Sequence, residues 1–241
     1  MTTSAAAGRP GLAPRSSPPR SWPVPLALIV LSLIPLLAGA LRIVELLGGP
    51  VVIPADQRFT TSPLPVVLHI LGAATYALVG ALEFVPRLRR QHLGWHRRSG
   101  RVVAAAGFVV AGSALWMTLF YAPQPGTGEL LHALRLVFGS AMAACLVLGI
   151  TTVRRGDLAG HRAWMIRAYA IALAAGTQAF TQGIGVAVFG PGPLHVDLCQ
   201  AAGWVINLGV AEWVIRRPAR RDATARRSRS LRRVAGAGAA S

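Results

Sequence analysis

Six long stretches of apolar residues alternate with short polar connections along this chain. The stretches cover about residues 24–47, 64–85, 102–122, 130–153, 163–189 and 197–215. Each is close to or above the roughly 20 residues that a helix needs to cross the hydrocarbon core of a bilayer. Backbone groups in lipid must find partners within the protein, and continuous rather than alternating apolar character indicates helices. The sequence therefore predicts an all-α membrane protein with about six transmembrane helices.

Charge is scarce and unevenly distributed. Charged residues make up 14% of the 241 residues, and the formal net charge is +17, carried entirely by arginine. Because the arginines lie mainly in short connections and in the C-terminal tail, we exclude nucleic acid as a partner and predict the lipid bilayer instead. We predict a disordered cytoplasmic N-terminus at 1–22, a six-helix transmembrane domain at 23–216, and an Arg-rich disordered cytoplasmic tail at 217–241.

The arginines also predict the orientation. They are concentrated in residues 86–101, in residues 154–162 and in the tail from Arg216, whereas the three connections on the other side carry only Arg58. Positively charged connections face the cytoplasm, so both termini are predicted to be cytoplasmic. The first stretch resembles a signal peptide around Ala38-Gly39-Ala40. It continues to Leu47, however, which favours an uncleaved helix.

Two pairs of histidines recur at nearly constant spacing. His69 and His132 open the second and fourth stretches, 63 positions apart, and His96 and His161 precede the third and fifth, 65 positions apart. This spacing predicts a four-helix core built from two repeated hairpins, helices 2–3 and helices 4–5. On the predicted topology, His69 and His132 form an outer pair, and His96 and His161 form an inner pair.

Facing histidines at one depth on different helices suit bis-imidazole ligation of haem b. We therefore predict that His69 and His132 ligate a haem iron, that His96 and His161 form a second such pair, and that Arg135 lies near a haem propionate. Solvated or lipid-headgroup roles for the inner pair, and structural hydrogen bonds for the outer pair, remain alternatives.

Arg135 and a group of polar residues lie within apolar stretches. Arg135 needs a partner, for which Glu129, Asp197, a backbone carbonyl, lipid phosphate or another anionic ligand are the alternatives. The fifth stretch carries four hydroxyl and amide side chains: Thr177, Gln178, Thr181 and Gln182. Such groups most often join helices to one another, and otherwise line a cavity for a quinone or another small molecule.

Three segments carry a family resemblance, which covers about residues 55–215. They are Glu83-Phe84-Val85-Pro86-Arg87-Leu88-Arg89, His96-Arg97-Arg98-Ser99-Gly100-Arg101 and His161-Arg162-Ala163-Trp164-Met165-Ile166-Arg167-Ala168-Tyr169-Ala170. They resemble the signatures of a family of bacterial multi-pass membrane proteins named domain of unknown function 2306. The resemblance implies a bacterial inner-membrane protein and no particular activity. The arrangement of helices and histidines is also similar to that of cytochrome b561-type proteins, an analogy of fold and spacing.

Three functions are compatible with these features. The leading hypothesis is a b-type haem protein that transfers electrons, with a quinone or another redox partner. The alternatives are a haem-free transporter or small-molecule binding protein, and a structural or assembly subunit. The sequence contains no motif of a soluble enzyme, and it leaves catalytic residues, enzymatic activity and oligomeric state undetermined.

Overall fold

The computed structural model describes residues 22–85, 88 and 91–238, with backbone only from residue 218. No part of this described chain forms a strand. Its seven helices are α1 Pro23–Leu46, α2 Gln57–Thr61, α3 Pro63–Glu83, α4 Leu93–Phe120, α5 Glu129–Arg154, α6 Leu158–Phe189 and α7 Pro193–Gly238. All except the short α2 contain a segment long and apolar enough to cross a membrane. The predicted all-α fold with six transmembrane helices is therefore confirmed.

The helices extend beyond the apolar stretches where local sequence allows it. The side chain of Asp157 caps α6 by accepting a hydrogen bond from the backbone N–H of Gly160 at 2.8 Å, so this helix begins at Leu158. At its other end, α6 stops at Gly190, whose φ of 78° is a left-handed conformation that favours glycine. The connections between helices are consequently short.

Four helices form the core of the bundle. Each of α3, α4, α5 and α6 packs against the next, and α6 also contacts α3. Helix α1 lies against α3 and α6, whereas α7 lies against α6 and α5. The four-helix core thus consists of the helices that the sequence predicts. That its two hairpins, α3–α4 and α5–α6, are repeats of each other stays a prediction.

We term the end of the bundle with the 47–62, 121–128 and 190–192 connections the outer end, following the predicted orientation, and the opposite end the inner end. The sequence predicts disorder in two terminal segments. Residues 1–21 lie outside the described part of the chain. The backbone of α7 continues as a helix to Gly238, through most of the segment predicted to be a disordered tail.

Glycines allow the core helices to approach closely around two tyrosines. The rings of Tyr76 and Tyr169 stack with centroids 5.6 Å apart. A Cβ at Gly107 would lie 2.7 Å from the Tyr76 ring, and one at Gly80 would lie 2.7 Å from the Tyr169 ring. Small residues are common at such crossings because the interior of a membrane bundle is held largely by close packing.

Helix α1 approaches α6 through an unusual backbone contact. Pro35 lacks the N–H that would otherwise bond the carbonyl of Leu31 within α1. That carbonyl oxygen lies against Gly176 of α6, and a Cβ added at Gly176 would overlap it. The contact holds α1 beside the core at about the middle of the helix.

Candidate binding cavity

A cavity of about 790 Å³ extends from the outer end of the bundle to about its middle. Its walls come from α1, α3, α4, α5 and α6, and one residue of α7, Trp204, contributes to its floor. The volume falls within the roughly 300–1,000 Å³ typical of small-molecule sites. Most lining side chains are apolar, so the cavity suits a molecule with substantial hydrocarbon surface.

One face of α1 forms a complete wall of the cavity. The lining residues recur at alternating intervals of three and one: Ser32, Pro35, Leu36, Gly39, Ala40, Ile43 and Val44. This spacing keeps them on one side of a helix, and from first to last they extend about 18 Å along it. The opposite face of α1 carries exposed leucine, isoleucine and valine side chains suited to lipid. Helix α1 therefore separates the cavity from the surroundings of the bundle.

The outer end of the cavity is covered by α2 and the connection after α4. Phe59 of α2 and Tyr121 both line the cavity, with ring centroids 5.7 Å apart. The Tyr121 hydroxyl donates a hydrogen bond to the backbone oxygen of Ser62 at 2.5 Å, and the Arg58 side chain donates one to that of Ala122 at 3.2 Å. These bonds join the two outer connections across the mouth of the cavity.

Two ion pairs position this cover. Arg58 binds both carboxylate oxygens of Asp56, at distances from 2.5 to 3.1 Å, and this hydrogen bonding lowers the pKa of Asp56. Arg42, near the outer end of α1, pairs with Glu45 and places its guanidinium 5.2 Å from the centroid of Phe59. The sequence interpretation missed the Arg42–Glu45 pair, although two opposite charges three positions apart in an apolar stretch were a usable signal.

His69 lines the cavity and hydrogen-bonds across to α4. Its Nδ1 lies 3.1 Å from the Ser113 hydroxyl, which also lies 2.6 Å from the carbonyl oxygen of Val109. Because a carbonyl only accepts, the serine proton goes to Val109, and Nδ1 of a neutral His69 donates to the serine oxygen. This arrangement leaves the lone pair of the ring on Nε2.

Arg135 is the second ionisable residue of the predicted outer site that lines the cavity. It lies six residues into α5, as His69 does in α3, so both are about 9 Å from the outer ends of their helices. Its Nη2 donates to Gln124 Oε1 at 3.0 Å. Neither predicted protein partner is used: Glu129 is exposed, and the Asp197 carboxylate instead accepts hydrogen bonds from the backbone N–H groups of Gly128 and Leu131.

His132 does not join His69 and Arg135 at the cavity. It is exposed on α5 and is absent from the residues that line the cavity. Three helix positions separate His132 from Arg135, a rotation of about 60° and a shift of about 4.5 Å toward the outer end. This displacement is enough to place the His132 imidazole outside the cavity.

The inner histidines each contact the preceding helix. His96, in the first turn of α4, contacts the carboxylate of Glu83 at the end of α3 through Nδ1, and Ser99 donates to the same carboxylate at 2.5 Å. His161, in the first turn of α6, donates from Nδ1 to the carbonyl oxygen of Gly149 in α5 at 2.7 Å. Both residues thus tie the two helices of a hairpin together at the inner end, and neither lines the cavity.

The polar residues of α6 mainly join it to α7. Thr177 donates to the Asn207 side chain at 2.8 Å, Gln178 to the backbone oxygen of Gln200 at 3.0 Å, and Thr181 to that of Cys199 at 2.6 Å. Gln178 also lines the cavity. Gln178 therefore both joins two helices and lines the cavity.

Tyr76 forms part of the cavity lining and has an unusual hydroxyl. The residue is 1% exposed, and its hydroxyl has no hydrogen-bond partner among the described residues. Burying such a group without a partner costs about 1–3 kcal/mol in proteins. The neighbouring Tyr169 hydroxyl, in contrast, donates to the carbonyl oxygen of Ala77 at 2.8 Å. Sequence reasoning did not single out Tyr76, because a tyrosine in an apolar stretch carries no signal of an unpaired hydroxyl.

The donor set of the cavity contains few metal ligands. The described residues contain no group of three or more His, Cys, Asp or Glu side chains arranged to hold a metal ion. A haem iron needs only two histidine ligands, and the absence of groups of three or more among the described residues does not test such a site. The haem prediction therefore stays a prediction.

Comparison with known proteins identifies a family but no activity. The family model described as "Predicted membrane protein (DUF2306)" matches residues 66–215. No curated protein and no solved structure matches the chain. The matched region includes His69, Tyr76 and Arg135, and it begins after α1 and α2.

Proposed function

Because the chain belongs to the DUF2306 family of predicted membrane proteins, whose description names no activity, we propose a function from the cavity itself: the protein binds a small, largely apolar molecule there, as a haem-free transporter or binding protein. The observation that carries this proposal is the 790 Å³ cavity, which two ionisable residues line, His69 and Arg135. A large apolar pocket with a few convergent polar groups is the common form of a ligand site.

The polar groups of the cavity support binding rather than packing. An ionisable side chain within a membrane span is costly and usually faces a functional cavity. Arg135 and His69 both do so, and Tyr76 adds a buried hydroxyl without a partner among the described residues. A ligand with hydrogen-bond acceptors would satisfy the free donors of Arg135, and a ligand donor would suit Nε2 of His69, while the apolar part of the ligand covers the α1 wall. A quinone is one molecule of this kind, and a single-chain lipid is another.

Ligand-dependent thermal stability tests the proposal. The purified protein is heated in neutral detergent with a short-chain quinone, a long-chain alcohol or a long-chain fatty acid. A ligand at a hundred times its Kd stabilises the folded state by about 2.7 kcal/mol, so a specific ligand raises Tm measurably. Absence of any shift across the three compounds contradicts the proposal for these classes.

Two matched variants locate the binding site. Ala114 lines the cavity, so Ala114→Phe fills part of it and should abolish the ligand-induced shift. Ala133 is exposed on α5 outside the cavity, so Ala133→Phe should preserve the shift. His69→Ala should change ligand-dependent stability or uptake without changing the colour of the protein. Equal shifts in both alanine variants would place the ligand elsewhere.

Haem b with electron transfer is a second candidate function, favoured by the position of His69. Its Nδ1 hydrogen bond leaves the lone pair on Nε2, the arrangement that an iron ligand needs, and Arg135 lines the same cavity. The predicted second ligand His132 is exposed, and His96 and His161 are bonded within their hairpins. Absorption spectra after expression with ample haem decide the question: a protein without Soret and alpha bands is not a haem protein.

The arginine distribution supports a bacterial inner-membrane location with cytoplasmic termini. A reporter that fluoresces only in the cytoplasm, fused after residue 241, should be active, and an alkaline phosphatase fusion at the same position should be inactive. The reverse pattern contradicts this orientation. A structural or assembly role predicts instead that a partner subunit co-purifies at a fixed ratio while none of the small molecules changes Tm.

A further inference from the structure

The charged side chains that line the cavity all carry positive charge. They are Arg58 and Arg135, and no Asp or Glu is found among the described residues that line it. Both arginines belong to its outer part, where Arg58 and Gln124 form the mouth. The cavity therefore has a cationic entrance and an apolar interior.

Arg58 already has its counterion. Its Nε and Nη2 bind the Asp56 carboxylate at 2.8 and 2.5 Å, and its Nη1 donates to the carbonyl oxygen of Ala122. All three nitrogens of this guanidinium are thus used by the protein. Asp56 therefore largely neutralises the charge of Arg58, and Arg135 is the arginine of the lining that a ligand can bind.

Arg135 has no ion-pair partner among the described residues, and the charge of Asp197 acts on it only from beyond ion-pair distance. Of the five N–H donors of its guanidinium, the described residues use one, through the side-chain oxygen of Gln124. Asp197 is occupied by the N-terminal backbone of α5, as described above. A partly buried cation in a membrane span without a counterion is expensive unless an anion binds beside it.

We infer that the cavity takes an anionic amphipath, whose carboxylate or phosphate binds directly to Arg135 at the mouth and whose hydrocarbon part lies along α1 toward Trp204. This inference rests on the proposed binding function and specifies its ligand class. The planar guanidinium suits both head groups because it presents two parallel donors to two oxygens. A free fatty acid and an anionic lipid share this chemistry.

The interior beyond Arg135 fits the hydrocarbon part. From Arg135 to Met142, the lining residues of α5 descend about 10 Å and are otherwise apolar. Phe138 of α5 and Trp204 of α7 stack with centroids 4.6 Å apart at the inner part of this wall. The α1 wall faces it with aliphatic side chains. Each CH₂ group that enters this space is removed from water, which favours binding.

Titrations with charge-matched probes test the inference. Hexadecanoate and hexadecanol share a chain and differ in head-group charge, and phosphatidylglycerol and phosphatidylcholine provide the same contrast for lipid. Binding to the full-length protein in neutral detergent is followed by Tm and by tryptophan fluorescence. We expect hexadecanoate, phosphatidylglycerol or both to bind about ten- to a hundredfold more tightly than the uncharged or zwitterionic partner. The anion that binds identifies the source of the head group.

Variants assign the preference to Arg135. Arg135→Gln should remove the preference for the anion and leave binding of hexadecanol within about twofold, whereas Arg135→Lys should keep a reduced preference. Arg98→Gln removes one charge at an exposed inner position and should change neither. Should Arg135→Gln fail to fold, the loss of bidentate binding in Arg135→Lys remains measurable.

The outcomes separate this inference from the proposed function. Equal binding of hexadecanoate and hexadecanol, unchanged in Arg135→Gln, leaves the cavity as a ligand site and overturns the anionic head group. No binding of any of the four probes overturns both. Anion binding that is equally weakened by Arg98→Gln reflects general surface charge and also overturns the role of Arg135.

Discussion

The inner and outer halves of this helix bundle differ in how their polar side chains are satisfied. In the inner half, Glu83 binds His96 and Ser99, and Arg167 binds Glu212 at 2.6 Å. Toward the outer end, Arg135 has a single neutral partner among the described residues, and near the middle of the bundle the Tyr76 hydroxyl has none. The inner polar groups thus hold helices together, whereas the outer ones point to a ligand.

The difference shows how position along a helix changes the role of the same residue type. Histidines at the inner end lie in first helical turns, where a neighbouring helix end offers a carboxylate or a carbonyl. His69 lies further into the bundle, beside a space that packing does not fill. In lipid an unsatisfied polar group has no water to bond, and this cost supports the proposed ligand of the cavity.

The largest effect is expected where the wall of the cavity meets the core. Gly176→Ala places a Cβ against the carbonyl oxygen of Leu31, so α1 must move away from α6. Overpacking of this kind lowers the free energy of unfolding by about 1–3 kcal/mol. Because α1 forms one cavity wall, ligand-dependent stabilisation should decrease as well. Unfolding in mixed micelles, followed by circular dichroism, measures both.

Gly183→Ala is the matched control on the same helix. No atom lies within 4 Å of a Cβ at Gly183, so this variant should be as stable as the parent protein or slightly more stable. Equal losses in the two variants would mean that the α1–α6 approach does not hold the wall.

At the inner end, removal of a shared acceptor should cost nearly as much. Glu83→Ala leaves His96 and Ser99 without their carboxylate, at a cost of about 1–2 kcal/mol in the free energy of unfolding. Ligand binding in the outer cavity should remain unchanged. Glu129→Ala, at an exposed position without an ion pair among the described residues, serves as control. A change in ligand affinity in Glu83→Ala would contradict the separation of the two halves.

Substitutions at Tyr76 and Tyr169 compare the loss of an unbonded hydroxyl with the loss of a hydrogen-bonded one. Tyr169→Phe removes a hydrogen bond to Ala77 and should lower the free energy of unfolding by about 1 kcal/mol. Tyr76→Phe removes a hydroxyl without a partner among the described residues, so the ligand-free protein should lose nothing or gain slightly. The two rings stack on each other, which makes their surroundings comparable. A larger loss in Tyr76→Phe would show that its hydroxyl supports folding.

Much of the fold could be predicted from the sequence because lipid imposes a strong requirement on each helix separately. Glu129–Arg154, for example, has one apolar window that is sufficient to identify it. The inner positions of His96 and His161 followed from the same reasoning. The five-residue helix α2, by contrast, has no periodic signal, and its role as a cover depends on bonds to the distant Ala122.

The candidate site was predicted only in part, because a cavity depends on which helix faces meet. His69 and Arg135 were identified as ionisable groups within apolar stretches, and both line the cavity. His132 was placed on the same face as Arg135, yet one turn of helix separates the cavity from the exposed surface. The unpaired hydroxyl of Tyr76 depends on packing around Gly107, which no local pattern specifies.

The smallest expected effect concerns the ion pair in the cover of the cavity. The hydrogen bond from Arg58 lowers the pKa of Asp56 in the folded protein below its unfolded value of about 3.9. The pair therefore stabilises the folded state at neutral pH, and this contribution is lost as the pH falls below about 4. Because both side chains are partly exposed, the contribution is below about 1 kcal/mol. Asp56→Asn should be slightly less stable than the parent protein at pH 7, and this difference should shrink as the pH falls from 7 to 3, as measured by thermal unfolding. A constant difference at both pH values would show that the carboxylate charge does not hold the cover in place.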